Sequence, residues 1–120
     1  AHAVARMLET VPTIEGTGKK ARVANYRIAG KTGTSHKASA SGYDAGRYVS
    51  SFAGFGPASN PRLVCVVVIN DPTGEEYYGG LVAAPLFSEV MTGAMRILNI
   101  PPDDYPAMLV STGNSVGGQP

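Results

Sequence analysis

Five consecutive residues, Gly30-Lys31-Thr32-Gly33-Thr34, hold the densest chemistry in this chain. Side chains alternate along an extended strand, so Thr32 and Thr34 point the same way. Two hydroxyls on one face can both donate to a carboxylate. Lys31 adds a cation that attracts an anionic ligand and polarises a neighbouring hydroxyl. Gly33 has no Cβ, so a substrate backbone can lie close to the strand. If the strand is a sheet edge, its unpaired backbone lets a peptide add as a further strand, and the Thr34 N–H becomes a candidate oxyanion donor. The set suits acyl transfer to a peptide that ends in a carboxylate. Lys31 and Thr34 are the candidate catalytic residues; Thr32, Gly33 and Thr34 are the candidate binding residues. An ordinary strand end could also hold these residues, so their context decides.

Other motifs carry less. Gly30-Lys31-Thr32 could close a phosphate-binding loop, but that motif needs Gly five positions earlier, where Asn25 stands. Gly16-Thr17-Gly18-Lys19-Lys20-Ala21 matches a relaxed dinucleotide fingerprint with no β-rich strand before it, and reads as a plain loop. His2 and His36 have no companion at metal-ligand spacing, so surface positions are expected and no metal or cofactor is implied. Glu75-Glu76 and Asp103-Asp104 are adjacent pairs in turn-like segments, which do not converge on one bond, and read as solvated. The net charge of +1 gives no attraction for nucleic acid or anionic lipid. The single Cys65 rules out an internal disulfide and, inside Leu63-Val64-Cys65-Val66-Val67, reads as a small buried hydrophobe. No apolar run approaches the roughly 20 residues of a spanning helix, so a membrane anchor would lie outside this piece.

A chain of 120 residues can form one core, and 15 Gly with 9 Pro imply many turns. Residues 1–10 read as the end of a helix with Val4, Met7 and Leu8 on one face, closed by Val11-Pro12. Val23–Thr34 reads as the strand that carries the triplet. Ser35–Arg47 is polar and Gly/Ser-rich and reads as a flexible lip beside the site. Tyr48–Phe55 and Arg62–Asn70 read as two more strands, separated by a Gly56–Pro61 turn. Leu63–Ile69 is apolar throughout, which predicts a central strand covered on both faces. Val82–Leu98 reads as an amphipathic helix with Pro85 in its first turn; its predicted stripe is Leu86, Val90, Ala94 and Ile97 beside Phe87, Met91 and Leu98. The expected fold class is α+β, an antiparallel sheet flanked by helices.

A Lys-Thr-Gly triplet ending a strand is one signature of the serine penicillin-recognising enzymes. The chain resembles the C-terminal part of the transpeptidase domain of a class B penicillin-binding protein, of the cell-division type in Gram-negative bacteria. Four stretches carry the resemblance in order: Tyr26–Thr34, Phe52–Ala58, Val66–Pro72 and Tyr77–Phe87. The resemblance implies an antiparallel sheet with helices on both sides, of which this chain is one end. It implies residues 1–100 as part of that domain; the Pro/Gly-rich composition of 101–120 reads as a largely disordered tail. It implies cross-linking of septal peptidoglycan through a serine acyl-enzyme, on stem peptides ending in D-Ala-D-Ala, with acylation by β-lactams. It places Lys31, Thr32, Gly33 and Thr34 on the cleft. Tyr77 and Tyr78 fall either beside the bound side chain or under the loop as packing. Work would be at the periplasmic face of the inner membrane, with other division proteins as partners of the complete protein.

The departure is large. No Ser here has Lys three positions later, and none has Asn two positions later, so the nucleophile must come from the remainder of the domain, as an upstream segment or a second polypeptide. Two other readings stay open: a serine β-lactamase or β-lactam sensor, and a non-catalytic module that binds division proteins.

Overall fold

The computed structural model describes residues 1–13, 15–40, 42–72 and 78–104. Their elements are α1 (His2–Leu8), a 3-10 turn (Lys19–Ala21), β1 (Ala29–Ser39), β2 (Gly42–Gly56), β3 (Leu63–Asn70), α2 (Gly79–Val82) and α3 (Ala84–Ile97). The strands form one antiparallel sheet in the order β1-β2-β3. The expected α+β class therefore holds, with helices packed on the sheet.

The register sorts the sheet into two faces. Thr32 lies opposite Phe52, and Phe52 opposite Val67. Phe52 is fully buried and its ring meets Phe87 of α3 at a centroid distance of 4.6 Å. Ala84, Phe87, Met91 and Met95 recur at helical spacing and are the buried residues of α3. Ala21, Val23, Ile28 and Ile100 complete this core. The expected α3 stripe was displaced: Phe87 and Met91 are core, but Leu86, Val90, Ile97 and Leu98 are exposed. The helix is apolar on two sides, so periodicity alone could not say which side meets the sheet.

β3 also differs from expectation. It is one of the two outer strands among the described residues, and burial alternates along it. Leu63, Cys65, Val67 and Ile69 pack against the core, and partial burial pushes the Cys65 thiol pKa up. Val64, Val66 and Val68 are 77%, 60% and 59% exposed. Its continuous apolar run is thus two stripes, of which this chain covers one. α1 has no buried residue, with Val4 and Met7 exposed.

The lip expected over Ser35–Arg47 is instead ladder. β1 runs on to Ser39 and pairs with β2 from Gly42, with a register break between His36 and Lys37. β1 starts later than expected, at Ala29, because Asn25 has φ 69° and Tyr26 N–H donates to the Val23 carbonyl, making a turn. This turn is held from both sides. The Tyr26 hydroxyl donates to the Ile100 carbonyl. Asp103 accepts from the Arg27 N–H at 2.6 Å and from the Ser59 hydroxyl at 2.7 Å, so it fastens the segment after α3 rather than lying free in solvent. Glu75-Glu76 and residues 105–120 lie outside the described residues.

Candidate active site

β1 pairs on one side only, with β2, so the triplet lies on a sheet edge among the described residues. Thr32 and Thr34 share a face, as alternation requires, and it is the face that also carries Phe52 and Ser50. The helical cover ends there. Thr32 is half-buried, Thr34 is exposed, and Lys31 is exposed.

Thr32 and Thr34 are each tied to a segment outside β1, and Lys31 is tied to Thr32. The Lys31 ammonium donates to the Thr32 carbonyl at 3.2 Å and to Thr32 Oγ1 at 3.3 Å. Thr32 Oγ1 lies 3.2 Å from Thr17 Oγ1. Thr34 Oγ1 accepts from the Gly79 N–H at 3.0 Å. A hydroxyl that accepts there keeps its own proton as a donor, so α2 orients Thr34 to donate outward.

The first two residues of α2 must be small. A Cβ on Gly79 would stand 2.3 Å from the Ser51 carbonyl oxygen and 2.6 Å from the Gly33 carbonyl oxygen; one on Gly80 would stand 2.1 Å from the Thr17 carbonyl oxygen. A Cβ on Gly33 would instead stand 2.5 Å from Oγ of Ser51, its partner on β2.

Next to Thr34 the sheet face opens into a shallow depression of about 200 Å³, lined by Thr34, Ser35, His36, Tyr48 and Tyr78. His36 stacks on Tyr48 with centroids 4.8 Å apart. The structure therefore brings Tyr78 to the triplet; Tyr77 lies outside the described residues. Sequence reasoning missed His36, Tyr48, Thr17 and the Gly79-Gly80 pair. His36 was within reach: it stands two residues after Thr34, on the same face by the period of a strand. Thr17 was not, because its partner is 15 residues away across a loop.

A larger concavity, about 960 Å³, lies elsewhere, along the segment before β1. Glu9 and Arg27 face it as a bidentate pair at 2.8 and 2.9 Å, and the Glu9 hydrogen bond raises the Arg27 pKa. None of its lining residues belongs to the triplet. Its larger size reflects an open surface between loops, whereas the convergent polar groups sit at β1. Among the described residues no group of three or more His, Cys, Asp or Glu could hold a metal ion.

Comparison with known proteins gives the family and the fold. The family model described as "Penicillin binding protein transpeptidase domain" matches residues 1–92. The chain is 43% identical over 121 residues to the peptidoglycan D,D-transpeptidase FtsI of Escherichia coli (strain K12), covering 97% of this chain and 21% of that protein. It is 45% identical over 102 residues to FtsI of Buchnera aphidicola subsp. Baizongia pistaciae, covering 85% of this chain and 18% of that one. Its fold is similar to that of the TP domain of Burkholderia pseudomallei penicillin-binding protein 3, with a TM-score of 0.76 and 41% identity over 85% of this chain and 31% of that structure. The chain thus spans about a fifth of these two curated relatives and under a third of the solved domain.

Proposed function

Because this chain belongs to the penicillin-binding protein transpeptidase family, we propose that it forms the Lys-Thr-Gly wall of a peptidoglycan D,D-transpeptidase. The observation that carries the reading is the sheet edge at Lys31–Thr34, where a cation and two hydroxyls lie beside unpaired strand backbone. In the complete protein a stem peptide ending in D-Ala-D-Ala lies along this edge as an added strand. Thr34, oriented by Gly79, donates to the terminal carboxylate, and Thr32 and the Lys31 charge reinforce it. Tyr78, Tyr48 and His36 flank the rest of the ligand beyond Thr34.

The nucleophilic Ser belongs to the remainder of the domain. Its hydroxyl oxygen attacks the penultimate D-Ala carbonyl, its proton passes to a base, and the Thr34 N–H helps hold the oxyanion. The terminal D-Ala leaves as the amine and an ester links Ser to the peptide. An amine of a second stem peptide then attacks the ester, which forms the cross-link and frees Ser. A β-lactam enters by the same first step, but its leaving amine stays tethered. On this reading the complete protein works in septal wall synthesis at the periplasmic face of the inner membrane, with division proteins as its partners. Among the described residues no helix is long and apolar enough to cross a membrane.

The test is acylation of the full-length protein by a fluorescent penicillin, followed by chase. A stable adduct supports a transpeptidase. Rapid release of the label would favour a β-lactamase, and no label would favour a non-catalytic module.

A further inference from the structure

The Gly16–Gly18 turn looks like a broken nucleotide fingerprint, yet it is built into the wall of the triplet. The Gly18 N–H donates to the Val11 carbonyl at 2.9 Å, the Gly16 N–H to the Thr13 carbonyl at 3.0 Å, and the Ala21 N–H to the Gly18 carbonyl at 2.9 Å. Gly80 presses against the Thr17 carbonyl so closely that it has no room for a Cβ. The turn is thereby fixed between the end of α1 and the start of α2. What it presents to β1 is one hydroxyl, Thr17 Oγ1, 3.2 Å from Thr32 Oγ1.

We propose that Thr17 is a positioning residue for the acyl-transfer site: its hydroxyl orients Thr32 and, through Thr32, the ammonium of Lys31. The proposal rests on the transpeptidase reading of the triplet. The chemistry is one of counted protons. Thr32 Oγ1 has one proton and two lone pairs, and one lone pair receives the Lys31 ammonium at 3.3 Å. Thr17 can either accept the Thr32 proton or donate to the second lone pair, since either atom can be the donor. Without ligand, Thr17 accepts. When a carboxylate arrives, Thr32 turns its proton onto the anion and Thr17 donates into the lone pair. Thr32 then carries two donors on its oxygen, which strengthens its own donation to the anion. Thr17 is exposed, so this bond rescues no buried group. Its use is to hold the Thr32 rotamer in which hydroxyl, ammonium and ligand meet.

The experiment measures the second-order acylation constant of the full-length protein with benzylpenicillin, together with its melting temperature. Thr17→Val keeps the side-chain shape and removes the hydroxyl; it should lower the constant about 2- to 10-fold, the loss of one neutral hydrogen bond, while Thr17→Ser stays within about twofold of the parent. Both variants should melt with the parent. On a Thr32→Val background, Thr17→Val should cause no further loss, because its partner is gone. The proposal is overturned if Thr17→Val acylates like the parent, or if its effect persists in full without the Thr32 hydroxyl. It is also overturned if Thr17→Ser falls equally with a lowered melting temperature, which marks a purely structural residue. An unmodified parent that takes no label would instead overturn the transpeptidase reading itself.

Discussion

Replacing Gly79 with Ala tests whether the contact between α2 and β1 builds the site. The added Cβ would sit 2.3 Å from the Ser51 carbonyl oxygen, 2.6 Å from the Gly33 carbonyl oxygen and 3.1 Å from the Gly33 nitrogen. All three atoms are backbone, so no rotamer change relieves the clash. α2 must lift from the sheet, and overpacking of this kind costs about 1–3 kcal/mol. Lifting also breaks the 3.0 Å bond from the Gly79 N–H to Thr34 Oγ1, worth about 0.5–1.5 kcal/mol. The expected loss of unfolding free energy is therefore about 1.5–4.5 kcal/mol, read from the denaturant midpoint of the transpeptidase unit. Acylation should fall as well, since Thr34 loses its orienting donor. Gly93→Ala is the control. It lies within α3 with nothing within 4 Å of its Cβ position, so it should stabilise by about 0.5–1 kcal/mol. If Gly79→Ala keeps the parent midpoint and acylation rate, or if Gly93→Ala is equally harmful, the close approach of α2 does not shape the site.

Thr34→Val removes the donor to the bound carboxylate and should lower the acylation constant about 10- to 150-fold, a loss of about 1.5–3 kcal/mol, with Thr34→Ser restoring most of it; unchanged kinetics would exclude a role for the hydroxyl. Val66→Lys should act in opposite senses. In the isolated chain it puts a charge on the bare stripe of β3 and should reduce self-association in sedimentation, while in the full-length protein, where that stripe is covered, it should destabilise by about 3 kcal/mol or more. A full-length protein indifferent to Val66→Lys would mean that the stripe faces water. The hydrogen bond from Arg47 at 2.9 Å, followed by its charge, holds the Asp71 pKa below its ordinary 3.8. That pair stabilises above the ordinary value, and its contribution fades as pH falls through the lowered one. Arg47→Ala should raise the Asp71 midpoint in a carbon-13 NMR titration; an unmoved midpoint would contradict the pairing.

The three strands, the terminal helix and the triplet were legible in the residues because local pattern decides them. Pro85 falls in the first turn of α3, and Thr32 and Thr34 alternate as a strand demands. The errors share one cause, that burial depends on what lies opposite. Leu63–Ile69 reads as a central strand because all seven residues are apolar, whereas among the described residues β3 is an outer strand and only alternate residues reach the core. In α3, Phe87 and Met91 turn to the sheet while Leu86 and Val90 do not, a choice made by the Phe52 ring and invisible from the helix itself. Ser35–Arg47 has loop-like composition, yet cross-strand pairing extends β1 and β2 through much of it. The polar ties of the site, Thr17 to Thr32 and Gly79 to Thr34, span 15 and 45 residues and leave no trace in local spacing.

The central claim is that Lys31–Thr34 is the wall of an acyl-transfer site whose nucleophile lies in another part of the protein. Mass-spectrometric peptide mapping after treatment with benzylpenicillin tests it most directly. One penicilloyl adduct per full-length protein is expected, on a Ser outside these 120 residues, with labelling sharply slowed by Thr34→Val and no adduct on the isolated chain. An adduct on any residue of this chain, or labelling that ignores Thr34, would contradict it.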